Sequence, residues 1–216
     1  MTVAGVEDTG GRIYFQIPSN KALEVGRHRL HLVVKGDLTT ADMFIEVWPE
    51  NTPVFVSDID GTLTTEETEE FTALLTGVTP AANPNSAAAL SALAAKGIRP
   101  FYLTARPEWL MERTREFLSE RGFPPGIAHT SLNKTGALGS TAEEFKTDEL
   151  NLLLTTGMLP QFVFGNTESD AAAYNNAAIE PLNHRVFFQF DDIFGGQRIQ
   201  NYAELDALFG SIAECD

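Results

Sequence analysis

The stretch Asp58-Ile59-Asp60-Gly61-Thr62, entered through the apolar run Val54-Phe55-Val56-Ser57, decides how this chain is read. The apolar run has the length and composition of a buried β-strand. The turn behind it holds two carboxylates two residues apart, then a glycine and a hydroxyl. Phosphoryl transfer through an aspartyl-phosphate uses such an arrangement. One Asp attacks phosphorus, a second handles the leaving-group proton, and the glycine permits a tight turn. The C-terminal end of a strand is also where open α/β sheets bind ligands. Taken alone, the five residues fit an Asp-Gly turn with solvated acids equally well. The weight therefore falls on the sequence downstream.

From Val54 onward β and α patterns alternate, which predicts a parallel sheet with helices on both faces. Helices are expected at 86–96, stopping at Gly97, and from Pro107 as first helical residue to Gly122. A capping-box pattern, Ser140-Thr141-Ala142-Glu143, predicts a third helix running to Gly157. Further helices are read at 168–178 and 202–213. Strands are read at 98–103, 127–130, 161–164 and 185–190. Candidate chemistry gathers where strands end. Thr104 follows the second strand and offers a hydroxyl beside a helix start, although such a Thr is usually a helix cap. Asn166 and Asp170 follow the strand at 161–164, where two oxygen donors four apart suit a hard cation such as Mg²⁺. A plain turn and a helix-start Asp read the same way. Lys146 lies near a helix start, an unfavourable place for a cation, which hints at another duty such as neutralising a phosphate or the nucleophile, although taken alone a solvated surface Lys fits better.

Up to about residue 50 the texture is β throughout. The stretch 11–17 places Ile13, Phe15 and Ile17 on one face; 28–34 and 41–48 alternate likewise. Three strands are too few for a closed sandwich and predict a small antiparallel, immunoglobulin-like layer. The segment 49–53 is the boundary, giving a β-rich part at 1–52 and an α/β catalytic domain at 53–216. His28 and His31 stand three apart on a strand, so they face opposite ways and make a poor metal pair.

Thirty acidic against fifteen basic residues give a formal charge of −15 over 216 residues. This argues against nucleic acid as a partner, since affinity there rests on Lys and Arg. It also disfavours docking on an anionic bilayer unless the charge is unevenly placed. The acidic run Glu66, Glu67, Glu69 and Glu70 reads as a solvated face. A single cysteine, Cys215, allows no internal disulfide and no cysteine-built metal site. No signal-peptide pattern and no run of about 18 apolar residues is present, so a cytoplasmic protein is expected.

Taken together, Val54–Thr64 (VFVSDIDGTLT), Tyr102–Pro107 (YLTARP), Glu144-Phe145-Lys146 and Gly165–Tyr174 (GNTESDAAAY) resemble the haloacid dehalogenase (HAD) superfamily of phosphatases. They are similar in particular to lipin-type phosphatidate phosphatases and the related LNS2 domain of phosphatidylinositol-transfer proteins. The stretch Gly11–Trp48 resembles the β-segment preceding LNS2. The resemblance implies a HAD-like fold and a Mg²⁺-dependent phosphatase acting on phosphatidate or another phosphomonoester. It implies Asp58 as nucleophile and metal ligand, and Asp60 as acid/base with its carbonyl toward the metal. Thr104 would bind phosphate, Lys146 would steady phosphate and nucleophile, and Asn166 and Asp170 would complete the metal shell. LNS2 domains of transfer proteins can lack the second Asp and act as phosphatidate-binding modules; here Asp60 is present, which favours catalysis. The membrane-binding amphipathic helix of lipins has no counterpart in the first ten residues. Neither the interval from Asp60 to Thr104 nor that from Thr104 to Lys146 has room for a large cap, so a capless, open mouth is expected. A soluble phosphomonoester or phosphoprotein remains an alternative substrate. Trp109, grouped with Arg113, Glu116 and Glu120 on the charged helix face, is expected to be exposed, as an interfacial anchor for peripheral membrane contact or packed on a neighbour.

Overall fold

The computed structural model describes residues 16–65, 78–133, 135–191 and 194–215, and the backbone of two short strands at 2–3 and 6–7. The chain divides into two compact units, Met1–Pro49 and Glu50–Asp216. In the first, β1 (Thr2–Val3) and β2 (Val6–Glu7) form one antiparallel pair. A second pair joins β3 (Gly26–Val33) to β4 (Thr40–Val47), in register from Gly26↔Val47 to Val33↔Thr40. Among the described residues the small antiparallel β-segment consists of these two pairs. Residues 11–15 of the strand read at 11–17 lie outside the described residues, and Gln16 and Ile17 are not extended into a ladder. His28 and His31 go to separate partners, the Glu24 carbonyl and the Asp42 carboxylate.

The second unit is an α/β sheet with helices on both faces. Its elements are β5 (Pro53–Ser57), α1 (Ser86–Ala95), β6 (Arg99–Pro107), α2 (Met111–Glu120), β7 (Ile127–Ser131), α3 (Ser140–Thr155), β8 (Leu159–Gly165), α4 (Glu168–Asn176), β9 (Arg185–Phe188), β10 (Gln197–Ile199) and α5 (Asp206–Ser211). The six strands are all parallel, in the order β10-β9-β8-β5-β6-β7. The chain runs outward from β5 through β6 to β7, then returns to β8 on the other side of β5. The mouth of β5 is therefore a topological switch point, where such sheets leave a crevice. Alternation along β5 sends Phe55 to one face and Val54 and Val56 to the other. On the first face Phe55 joins Tyr102, Phe162 and Phe164 in a core completed by Leu90 and Leu93 of α1, Phe117 of α2 and Phe209 of α5. On the other, α3 and α4 pack on one another and on β8.

Several boundaries differ from the sequence reading for local reasons. Pro107 ends β6 instead of opening a helix; a 3₁₀ turn at Glu108–Leu110 comes before α2. The capping box at Ser140 does not form. Gly139, at φ +53°, occupies the N-cap position and Ser140 is already helical. The final helix is a 3₁₀ turn at Tyr202–Leu205 followed by one short α-helix. Strand β10, three residues long, is too short to show alternation in sequence. By contrast α1, α2 and α3 stop as read, at Gly97, Gly122 and Gly157, each with positive φ. The acidic run Glu66, Glu67, Glu69 and Glu70 lies outside the described residues. Among the described residues between Asp60 and Lys146 nothing builds a cap domain, and none of the described helices is long and apolar enough to cross a membrane.

Phe55 has no solvent exposure and sits edge-on to the rings of Tyr102 (6.2 Å) and Phe164 (6.1 Å). Phe55→Ala should destabilise the α/β unit by about 3–5 kcal/mol, read from urea denaturation, because the void lies between strands that cannot collapse.

Candidate functional site

Asp58 leaves β5 one residue past the strand, its N–H still donating to the Phe164 carbonyl of β8 (2.9 Å). Beyond it the chain tightens into a turn in which Leu63 and Thr64 both donate to the Ile59 carbonyl (2.8 and 3.0 Å), and Gly61 takes φ +69°. This turn is pinned from outside by a residue that sequence reasoning missed. The buried Asn83 amide donates to the carbonyls of Gly61, Thr62 and Thr64 at 3.2, 2.8 and 2.9 Å. Tyr202 adds a bond from its hydroxyl to the Thr62 carbonyl (2.9 Å). A lone Asn between a Pro-rich loop and a helix carries no signal in one sequence that it will reach back over twenty positions.

Lys146 comes in from α3, fully enclosed, and donates to Asp58 Oδ1 (2.8 Å) and Asp170 Oδ1 (2.5 Å). Asp170 also caps its own helix. Its Oδ2 accepts from the N–H groups of Asn166 and Thr167 (both 3.1 Å) and from the Thr167 hydroxyl (2.8 Å), which in turn caps α4. Gly165 is required here: a Cβ on it would stand 2.5 Å from Asp170 Cβ. Thr62 bridges the two strand ends, donating to Asn166 Oδ1 (2.7 Å) and standing 3.3 Å from Asp58 Oδ2. Asp60 points a different way. Arg106 grips both of its oxygens, and the Thr104 hydroxyl lies 3.4 Å from Asp60 Oδ2. Arg106 stood inside the Thr104-Ala105-Arg106 signal, yet its partnership with Asp60 depends on strand order that one sequence does not show.

The structure thus brings Asp58, Lys146, Asp170 and Asn166 into one cluster and puts Asp60 and Thr104 beside it. A cavity of about 680 Å³ is lined by Asp58, Asp60, Arg106 and Lys146, while Asp170 and Asn166 do not line it. Thr104 is wholly buried behind Asp60 and does not line the cavity. The rest of the lining is mixed, with Pro107, Leu110, Ala137, Leu138, Ala142 and Phe194 beside Thr135, Ser140, Glu143, Thr167, Glu168 and Ser169. Trp109 lies in the 3₁₀ turn ahead of α2 and is 58% exposed, while Leu110, Thr114, Phe117 and Leu118 are buried as read.

Charge is out of balance in this cluster. Two enclosed carboxylates share one ammonium. For Asp58, burial is the largest influence and raises the pKa; Lys146 opposes it, Asp170 and Asp60 add to it, and the carboxyl is pushed up to about 8. For Lys146, burial works against the charge, but attraction to Asp170 and Asp58 wins and raises its pKa. A proton or a cation would neutralise the remaining negative charge. The donor set read for Mg²⁺, namely the carboxylates of Asp58 and Asp170, the Asp60 carbonyl and the Asn166 amide, is all hard oxygen and fits that ion. Asp170 is the most committed of them, with both oxygens already accepting protein donors. Among the described residues no three His, Cys, Asp or Glu side chains form a metal cage by themselves.

This architecture is that of a HAD-like α/β domain. Solved structures similar to it include a HAD-like phosphatase of Mesorhizobium loti (TM-score 0.55, 15% identity, covering 88% of this chain and 94% of that one). Another is the D,D-heptose 1,7-bisphosphate phosphatase of B. bronchiseptica (TM-score 0.52, 10% identity, 74% and 99%). Residues 55–188 match the family model described as the LNS2 domain of PITM 1-3, and residues 2–47 match its beta-sandwich domain. The chain belongs to the PITM 1-3 LNS2 family. Curated relatives include the Drosophila melanogaster protein retinal degeneration B (28% identical over 92% of this chain) and the mouse membrane-associated phosphatidylinositol transfer protein 2 (26% over 82%). The chain spans 14% and 13% of the length of these two relatives.

The charge imbalance gives a testable pH dependence. With its native pKa above the unfolded value of 3.8, Asp58 holds a proton in the fold that the unfolded chain has lost. Metal-free protein should therefore be most stable, as far as this group decides, below pH 4. It should lose stability as pH rises toward about 8, at up to about 1.4 kcal/mol per pH unit. Asp58→Asn should flatten that slope in chemical denaturation measured across the same range.

Proposed function

We propose that this domain is a Mg²⁺-dependent phosphatase that hydrolyses a phosphomonoester, phosphatidate to diacylglycerol, through an aspartyl-phosphate. The observation that carries this reading is Asp58, held 2.8 Å from the enclosed Lys146 at the floor of a cavity it shares with Asp60. A carboxylate oxygen of Asp58 attacks phosphorus as the bond to the leaving alcohol breaks, and Asp60 gives that alcohol its proton. Lys146 offsets charge on Asp58 and on the transferred phosphoryl group, while Thr104, buried behind Asp60, supports that acid and not the phosphate. A water deprotonated by Asp60 then attacks phosphorus, releasing inorganic phosphate and restoring Asp58. Mg²⁺ held by Asp58, the Asp60 carbonyl, Asn166 and Asp170 would neutralise the phosphoryl oxygens and keep Asp58 in its carboxylate form. The apolar side chains Pro107, Leu110, Leu138 and Phe194 in the lining are compatible with a lipid substrate. The lipin-like motifs and the membrane-associated relatives support work at a cytoplasmic membrane surface.

A second reading is a phosphatidate-binding module without turnover. Membership in a family of lipid-transfer proteins favours it, as does the engagement of the Asp60 carboxylate by Arg106.

Wild-type protein should release phosphate from phosphatidate vesicles in Mg²⁺ and stop when the metal is chelated. Asp58→Asn should lower turnover at least about a thousandfold with an unchanged circular dichroism spectrum. Vesicle binding without phosphate release would establish the module reading instead; release from p-nitrophenyl phosphate alone would point to a soluble substrate.

Trp109→Ala should lower activity on vesicles several-fold and leave p-nitrophenyl phosphate hydrolysis unchanged, since an exposed indole favours the bilayer boundary. Equal effects on both substrates would remove Trp109 as an interfacial anchor.

A further inference from the structure

Asp60 sits at the mouth of the site with its side chain 19% exposed. What holds it comes from β6. Pairing between β6 and β7 shifts between Thr104 and Pro107, so Ala105 and Arg106 bulge out of the ladder. Arg106 turns back toward β5, its own N–H donating to the Thr104 hydroxyl (3.2 Å). Its guanidinium is enclosed and spans two elements. Nη1 donates to Thr114 Oγ1 on α2 (3.1 Å), while Nη2 meets Asp60 Oδ1 (2.7 Å) and Nε meets Asp60 Oδ2 (2.8 Å). A two-point fork of this kind restrains the last torsion of a carboxylate, which a single ammonium cannot do. Three of its five N–H groups donate to Asp60 or Thr114, so the two-point fork is aimed at the acid.

We propose that Arg106, anchored on Thr114, is the positioning residue of Asp60. It sets the direction in which that carboxylate meets the reacting groups and does not itself bind the substrate phosphate. This assignment rests on the phosphatase reading above. It makes the β6 bulge, and not the β5 turn alone, the element that aims the acid/base.

The test is steady-state hydrolysis of p-nitrophenyl phosphate in Mg²⁺ by wild type, Arg106→Lys, Arg106→Met, Asp60→Asn and the Asp60→Asn/Arg106→Met double variant. Thermal melting is followed in parallel, and Arg106→Lys keeps a cation in the enclosed site should the methionine variant unfold. Both single Arg106 variants should lose about a hundredfold in kcat, the scale of a misplaced catalytic group, with KM and the inhibition constant of inorganic phosphate changed by less than about threefold. In the Asp60→Asn background, removing Arg106 should cost no more than about twofold further. A raised KM with kcat retained would make Arg106 a phosphate-binding residue and overturn the proposal. So would full activity in Arg106→Lys, or losses that multiply in the double variant. If wild type turns over phosphatidate vesicles but not p-nitrophenyl phosphate, the same variants are compared on vesicles with the same criteria. Wild-type protein inert on both substrates would end the phosphatase reading and this assignment with it, an outcome distinct from an active wild type with KM-type variants.

Discussion

Everything at the mouth of the sheet depends on one buried contact, the Lys146 ammonium between Asp58 and Asp170. Removing three charges from water is costly and is offset only when each finds partners in the interior. That requirement draws three elements together: the end of β5, the first turns of α3 and the start of α4. Asp170 shows how tightly the parts are coupled. One of its oxygens holds Lys146, and the other closes the turn between β8 and α4 while its own N–H is capped by Thr167. No change at Asp170 can be confined to the site, because the same carboxylate organises a helix end. The glycine before Asn166 belongs to this arrangement, since only a residue without Cβ lets the strand pass so close to the Asp170 side chain.

The two acids of the motif, two residues apart in sequence, are placed in different electrostatic surroundings. Asp58 is enclosed with a second carboxylate, and burial drives it toward a proton or a cation. Asp60 is partly exposed and pairs one-to-one with Arg106. Such separation of neighbouring carboxylates would suit the two roles proposed above only with a cation beside Asp58 to keep that group an anion near phosphorus. It follows from topology. Asp58 continues the ladder with β8, whereas the turn hands Asp60 across to β6.

How much of this could be read from the sequence depends on the range of the interaction. The motif residues lie at strand ends, and the alternating β/α pattern places all strand ends of a parallel sheet on one edge, so their convergence was legible before any coordinates. Glycine stops were legible for the same local reason. What escaped were contacts fixed by strand order and loop path: Asn83 clamping the 61–64 turn, and Arg106 crossing from β6 to Asp60. The start of α3 was misread because Ser140-Thr141-Ala142-Glu143 satisfies a capping pattern, yet Gly139 at positive φ begins the helix one residue earlier. At α4 the corresponding box does form, on Thr167 and Asp170, where the sequence supports a metal ligand or a helix-start acid equally and the reciprocal bond to Thr167 shows only in the fold.

A chain with a formal charge of −15 is a poor match for an anionic substrate when it is regarded as a whole. The cavity floor is different, because Lys146 and Arg106 both line it. Each of these cations is balanced by acids of the site itself, so the floor does not attract phosphate by net charge. A dianionic phosphomonoester would add to an existing excess of carboxylate. An additional cation resolves this, since a divalent ion among Asp58, Asp170 and Asn166 reverses the sign of the cluster and makes room for the phosphate. On the reading proposed above, metal and phosphate binding would be linked, each strengthening the other. The same linkage would serve a domain that only captures phosphatidate. What separates capture from hydrolysis is the direction in which Asp60 is held once both have arrived.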